Sequence, residues 1–149
     1  MWRRFSRGSG PGGLTLAIVD TGPLLEAVDT GAPRHEAALE VAERLDLRFV
    51  IPAMVVAEAT YLVGARLRPE VEARFLRIME EADVEGPTPE DFARMAELVE
   101  EYADFPLGGT DASVIALAER LDAPFVVTLD RRRFEAVTPR HRPAFELLP

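Results

Sequence analysis

Leu14-Thr15-Leu16-Ala17-Ile18-Val19-Asp20-Thr21-Gly22-Pro23-Leu24-Leu25 is the stretch from which the rest of the chain is read. A run of strand length, Leu14 to Val19, stops at an acid. Thr21-Gly22-Pro23 then turns the chain into a segment carrying Leu24, Leu25 and Val28, which is the signature of a strand followed by a helix. The same alternation continues. Pro33 opens a helix with Ala37, Ala38, Val41, Ala42 and Leu45 at helical spacing, and Phe49 to Ile51 reads as a short buried strand. Pro52, as a first-turn residue, starts a largely apolar helix through Leu67, and Pro69 starts another to about Ala82. Thr88 caps a helix with Phe92, Met95, Ala96, Val99 and Ala103 on one face. After the Gly108-Gly109 loop, Thr110 caps a buried helix from Asp111 to Leu121. Phe125 to Leu129 is a further buried strand, and Ala144 to Leu148 a last edge strand. Buried strands joined by helices imply an α/β fold with a mainly parallel central sheet flanked by helices.

The chain's 149 residues, with 48% hydrophobic content, suit one domain, expected over residues 14–149. Residues 1–13, rich in Gly, Ser and Arg, read as a flexible basic extension. No run approaches the roughly 20 apolar residues that cross a bilayer, and no secretory leader is recognisable, so a cytoplasmic protein is expected.

Composition excludes much chemistry. With no Cys there is no thiol nucleophile, no disulfide and no Cys-ligated zinc. Lys, Asn and Gln are absent as well, so a P-loop and a Schiff base are ruled out. Only His35 and His141 could serve as imidazole ligands, and no GxSxG elbow is present. Carboxylate is what remains in quantity. The net charge of −9 argues against the basic footprint of most nucleic-acid binders. A divalent cation bound among carboxylates would supply positive charge where an anionic substrate needs it.

Four acids stand in segments that otherwise read as core. Asp20 is the only charge between Leu14 and Leu25, Glu58 between Phe49 and Ala65, and Asp111 between Pro106 and Ala118; Asp130 directly follows the uncharged run Ala123 to Leu129. A buried carboxylate is costly unless neutralised, paired or metal-bound. Asp20 and Asp130 each follow a strand, where open α/β sheets build their sites. Glu58 lies about two turns into the helix after a third strand, and Asp111 in a first turn, where the helix dipole favours an anion. All four can converge on one edge, and an all-oxygen ligand set selects Mg²⁺, Mn²⁺ or Ca²⁺.

These residues resemble the PIN-domain nucleases, in particular the VapC toxins of bacterial toxin–antitoxin pairs. The resemblance runs from Leu14 to Pro149 and rests on Ile18-Val19-Asp20-Thr21-Gly22-Pro23-Leu24, Ile51-Pro52 with Val56-Ala57-Glu58, Gly109-Thr110-Asp111-Ala112-Ser113, and Thr128-Leu129-Asp130 with Arg133-Phe134. It implies a PIN-like three-layer sandwich, Mg²⁺- or Mn²⁺-dependent endonucleolytic cleavage of RNA, homodimerisation, and inhibition by a small antitoxin, whose basic segment would suit this acidic chain. Asp20 and Asp111 would be the principal metal ligands, with Glu58 and Asp130 completing or orienting the set. Thr21, Thr110 and Thr128 would hydrogen-bond water or carboxylate around them, and Arg131, Arg132 and Arg133 would contact RNA phosphates. Many relatives carry a further acid just after the fourth position, where this chain has the three arginines.

Other readings are a catalytically silent PIN-like module that binds RNA or protein, and a PIN nuclease of RNA processing rather than a toxin. A phosphatase of the haloacid-dehalogenase type would need a DxD motif and a Lys, and Asp20-Thr21-Gly22 supplies neither.

Overall fold

The computed structural model describes residues 1–4 and 13–149. Among the described residues five strands form one wholly parallel sheet in the order β3-β2-β1-β4-β5. They are β1 (Thr15–Val19), β2 (Leu47–Pro52), β3 (Val84–Glu85), β4 (Phe125–Val127) and β5 (Glu146–Leu148). β1 lies at the centre, with Ile18 in register with Val50 of β2 on one side and Val126 of β4 on the other. Ala17, Ile18, Val19, Val50 and Val126 are fully buried, as expected of a parallel sheet covered on both faces.

Seven helices connect the strands among the described residues: α1 (Thr21–Val28), α2 (His35–Ala42), α3 (Ala53–Arg66), α4 (Pro69–Glu80), α5 (Pro89–Glu101), α6 (Gly109–Arg120) and α7 (Arg131–Glu135). α6 is buried from Asp111 to Ala118 and packs on β1, β2, β4, α3 and α5. The chain leaves β1 towards β2 and β3, then returns across α5 and α6 to lay β4 against the other edge of β1. That reversal opens a crevice beyond the carboxyl ends of β1 and β4, the switch point of an open α/β sheet. Among the described residues no helix is long and apolar enough to cross a membrane.

Several elements depart from the sequence reading. α2 ends at Ala42, and Leu45, expected in its apolar stripe, is 81% exposed in the turn that follows. Pro52 ends β2 and caps α3 with extended backbone instead of occupying the first helical turn. Gly108, not Thr110, caps α6. α5 is rotated from the expected face: Met95 is buried as expected, but in company with Asp91 and Leu98, while Phe92, at 54%, and Val99 are exposed. The cause is ionic, because Asp91 pairs with Arg120 and Arg94 with Glu119, turning a charged flank of α5 onto α6. β3 and α7, both short, had no periodicity by which to be recognised.

The flexible extension expected over residues 1–13 does not hold for its first four. Trp2 is 1% exposed and packs edge-on against Phe49 with ring centroids 5.0 Å apart. Its backbone N–H donates to the Ala42 carbonyl at 3.3 Å, and the Arg4 N–H donates to the Glu81 carbonyl at 2.7 Å. Residues 5–12, the middle of that expectation, lie outside the described residues.

Candidate active site

Asp20 is the residue after β1 and the N-cap of α1, with extended backbone. Its N–H donates to the Val127 carbonyl at 2.9 Å, extending the β1–β4 pairing to the sheet edge. Its carboxylate accepts the Thr128 hydroxyl at 2.8 Å. The same hydroxyl oxygen accepts the Asp130 N–H at 3.0 Å, so Thr128 ties the first acid to the backbone of the fourth. Asp111, in the first turn of α6, accepts the Gly108 N–H at 3.1 Å. Asp130 caps α7 and is half-buried. Glu58 departs from expectation in one respect: α3 buries Val55, Ala59 and Val63 and turns Glu58 to solvent.

Asp20, Glu58, Asp111 and Asp130 all line one hollow of about 490 Å³, with Thr21, Arg131, Arg132 and Arg133 on its walls. A second hollow of about 430 Å³, bordered by residues 105–108 and by Gly109 and Thr110 at the start of α6, shares Glu58, Asp111 and Arg133 with the first. The two hollows thus adjoin at these three residues. Among the described residues no three acidic or histidine side chains are gathered closely enough to hold a metal ion.

Electrostatics distinguish the acids. Burial pushes the Asp20 carboxyl up from 3.8 to about 6, against the pull of the Thr21 N–H and the Thr128 hydroxyl, and the negative charges of Asp111 and Glu58 add to the rise. Asp111 is also raised, chiefly by burial, although the Gly108 N–H and Arg133 draw it down. Thr21 contributes a buried hydroxyl with no hydrogen-bond partner among the described residues. The Thr110 hydroxyl is not part of this network; its carbonyl accepts from Ser113 instead.

The three arginines have different surroundings. Arg131 donates to the Pro149 carbonyl at 3.0 Å, and Arg132 is exposed. Arg133 bridges two acids, with Nη1 3.2 Å from Asp111 and Nε 2.9 Å from Asp130. Sequence reasoning placed Arg133 against phosphate and missed its pairing with Asp111, 22 residues away. Its place three residues after Asp130, in what proves to be a helical turn, could signal the pairing with Asp130, but nothing local signals Asp111. Gly108, whose N–H orients Asp111, was likewise read only as loop.

Residues 17–138 match the PIN domain family. The chain is 31% identical over 134 residues to Ribonuclease VapC26 of Mycobacterium tuberculosis, covering 89% of this chain and 99% of that protein. Among solved structures, it is similar to M. tuberculosis VapC20, described as a Sarcin-Ricin loop cleaving toxin, with a TM-score of 0.68, 18% identity, and coverage of 74% of this chain and 86% of that one. It is also similar to VapBC2 from Rickettsia felis bound to a promoter DNA fragment, with a TM-score of 0.64, 17% identity, and coverage of 91% and 100%. At these identities the structural likenesses speak for the fold.

Proposed function

Because this chain belongs to the PIN-domain family, we propose that it is an endoribonuclease that cuts RNA phosphodiester bonds with Mg²⁺ or Mn²⁺ and acts as the toxin of a toxin–antitoxin pair. The observation that carries the reading is the convergence of four carboxylates, from four separate segments, on one hollow at the switch point of the sheet. The chemistry of the donor set, rather than its present spacing, suits a hard divalent cation: every donor is oxygen, Asp20 is a desolvated carboxylate, and the Thr21 hydroxyl beside it is buried with no partner among the described residues.

Asp20 and Asp111 would hold the ion, and Glu58 and Asp130 would complete or orient the set. Such an ion supplies the charge that activates water and stabilises the phosphoryl oxygens during in-line displacement. Thr128 keeps Asp20 and the Asp130 backbone in fixed relation. The adjoining hollows would carry the RNA strand past the acids, with Arg132 on the wall of the larger one for a phosphate. With no Asn or Gln available, selection of the RNA falls to Arg, Ser, Thr, backbone groups and RNA shape. A small antitoxin with a basic segment complements the net charge of −9, and a homodimer belongs to the same reading.

The test is cleavage of a structured RNA by purified protein. Cutting that requires Mn²⁺ or Mg²⁺ and is lost in Asp20→Asn and Asp111→Asn is the expected result; full activity in excess EDTA would overturn it. Growth arrest on induction, relieved by a co-expressed antitoxin encoded alongside, separates a toxin from an RNA-processing nuclease. One observation favours a silent binding module, the pairing of Arg133 with two of the four acids. RNA binding without cutting at any Mn²⁺ concentration would identify that case.

A further inference from the structure

We propose that Arg133 is an internal counter-cation that holds Asp111 and Asp130 in place of a divalent ion and must leave them when the ion loads. The inference rests on the nuclease reading and concerns how its site is switched on. A single guanidinium spans two carboxylates on different elements, Nη1 to Asp111 at 3.2 Å and Nε to Asp130 at 2.9 Å. The planar fork of Arg can serve both at once. Each carboxylate also has a backbone partner, the Gly108 N–H for Asp111 at 3.1 Å and the Arg133 N–H for Asp130 at 3.4 Å. They therefore keep their places when the guanidinium departs.

Arg133 is also built to depart. Its backbone is anchored, because the next residue, Phe134, is 1% exposed, yet its own side chain is 40% exposed and has solvent on one side. Asp111 Oδ2 and Asp130 Oδ2 are the atoms nearest the guanidinium, so an ion held by Asp111, with Asp130 completing the set, would compete with it for these carboxylates. Arg133 borders both hollows, which places the released guanidinium at their junction, where a phosphate can take it up. Exchanging one partner for the other couples ion loading to substrate capture.

The experiment is a calorimetric Mn²⁺ titration of the full chain without RNA. Arg133→Ala should bind Mn²⁺ more tightly than the wild type by on the order of ten-fold, since a competing charge in direct contact is removed. Arg34→Ala is the control. It removes an equal charge whose Nη1 contacts the Leu129 carbonyl beside Asp130, at 3.1 Å, and touches neither acid, so its shift should stay below about three-fold. Arg133→Ala should also have a lower melting temperature than the wild type without metal and a larger gain on adding Mn²⁺.

A second measurement needs no variant. The Arg133 Nε–H resonance of the wild type should be protected from exchange in the apo protein and lose that protection at saturating Mg²⁺. Equal Mn²⁺ affinity in Arg133→Ala and wild type, or an Nε–H that stays protected under saturating Mg²⁺, overturns the proposal while leaving the nuclease reading intact. Absence of both Mn²⁺ binding and RNA cleavage in wild type and variant overturns both.

Discussion

Asp20 is the residue on which sequence and fold bear most directly. Burial pushes its carboxyl up from the ordinary 3.8 to about 6 in the folded protein, so the fold holds its proton more tightly than the open chain does. Below about pH 4 both states are protonated. Between about pH 4 and 6 the unfolded chain ionises while the folded one does not, so stability falls across that window and levels off above it. Asp20→Asn should abolish RNA cleavage yet stabilise the metal-free protein at pH 7.5 by on the order of 2 kcal/mol. Urea denaturation at pH 4 and 7.5 checks this, and an unchanged pH slope in the variant would count against it. Thr128, 1% exposed, should behave oppositely. Thr128→Val strips the donor to Asp20 and the acceptor for the Asp130 N–H, and should cost about 1–3 kcal/mol along with much of the cleavage rate, whereas Thr128→Ser retains both.

At the scale of elements, the helices and long strands were legible because their apolar periods are strong, and the exceptions have identifiable causes. The capping box of α5, with Thr88 accepting from the Asp91 N–H and Asp91 from the Thr88 N–H, was visible as a helix start. Its buried face was not. Apolar spacing selected Phe92 and Val99, but the ion pairs of Asp91 and Arg94 with α6 turned Leu98 inward instead. Leu98→Ala should therefore cost about 2–5 kcal/mol, whereas Phe92→Ser should change stability by no more than about 0.5 kcal/mol. Thermal melts of the two variants decide which face is core. α7 was invisible for a related reason: a helix of five residues is defined by its Asp130 cap and by the burial of Phe134, not by a repeat.

The whole molecule adds an element that composition concealed. Met1 to Gly13 reads as a polar arm, yet Trp2 closes over Phe49, while Arg4 pairs with the chain between α4 and β3. Trp2 is the only tryptophan, so its fluorescence reports this docking alone. Native emission should be blue-shifted, and Trp2→Ala should cost about 3–5 kcal/mol. Trp2 lines neither hollow, so the variant's cleavage rate at low temperature should match wild type; red-shifted emission from the native protein would contradict the docking. By itself the sequence determined the α/β alternation, the parallel sheet and which four acids stand out from their apolar surroundings, because apolar periodicity and a charge stranded in an apolar run are local properties. Thr128 was expected beside a carboxylate, but only the tertiary structure decided that it links two of the acids, that Gly108 orients a third, and that Arg133 reaches from α7 to Asp111. Contacts between segments far apart in the chain depend on how helices are rotated and strands ordered, which no local pattern encodes.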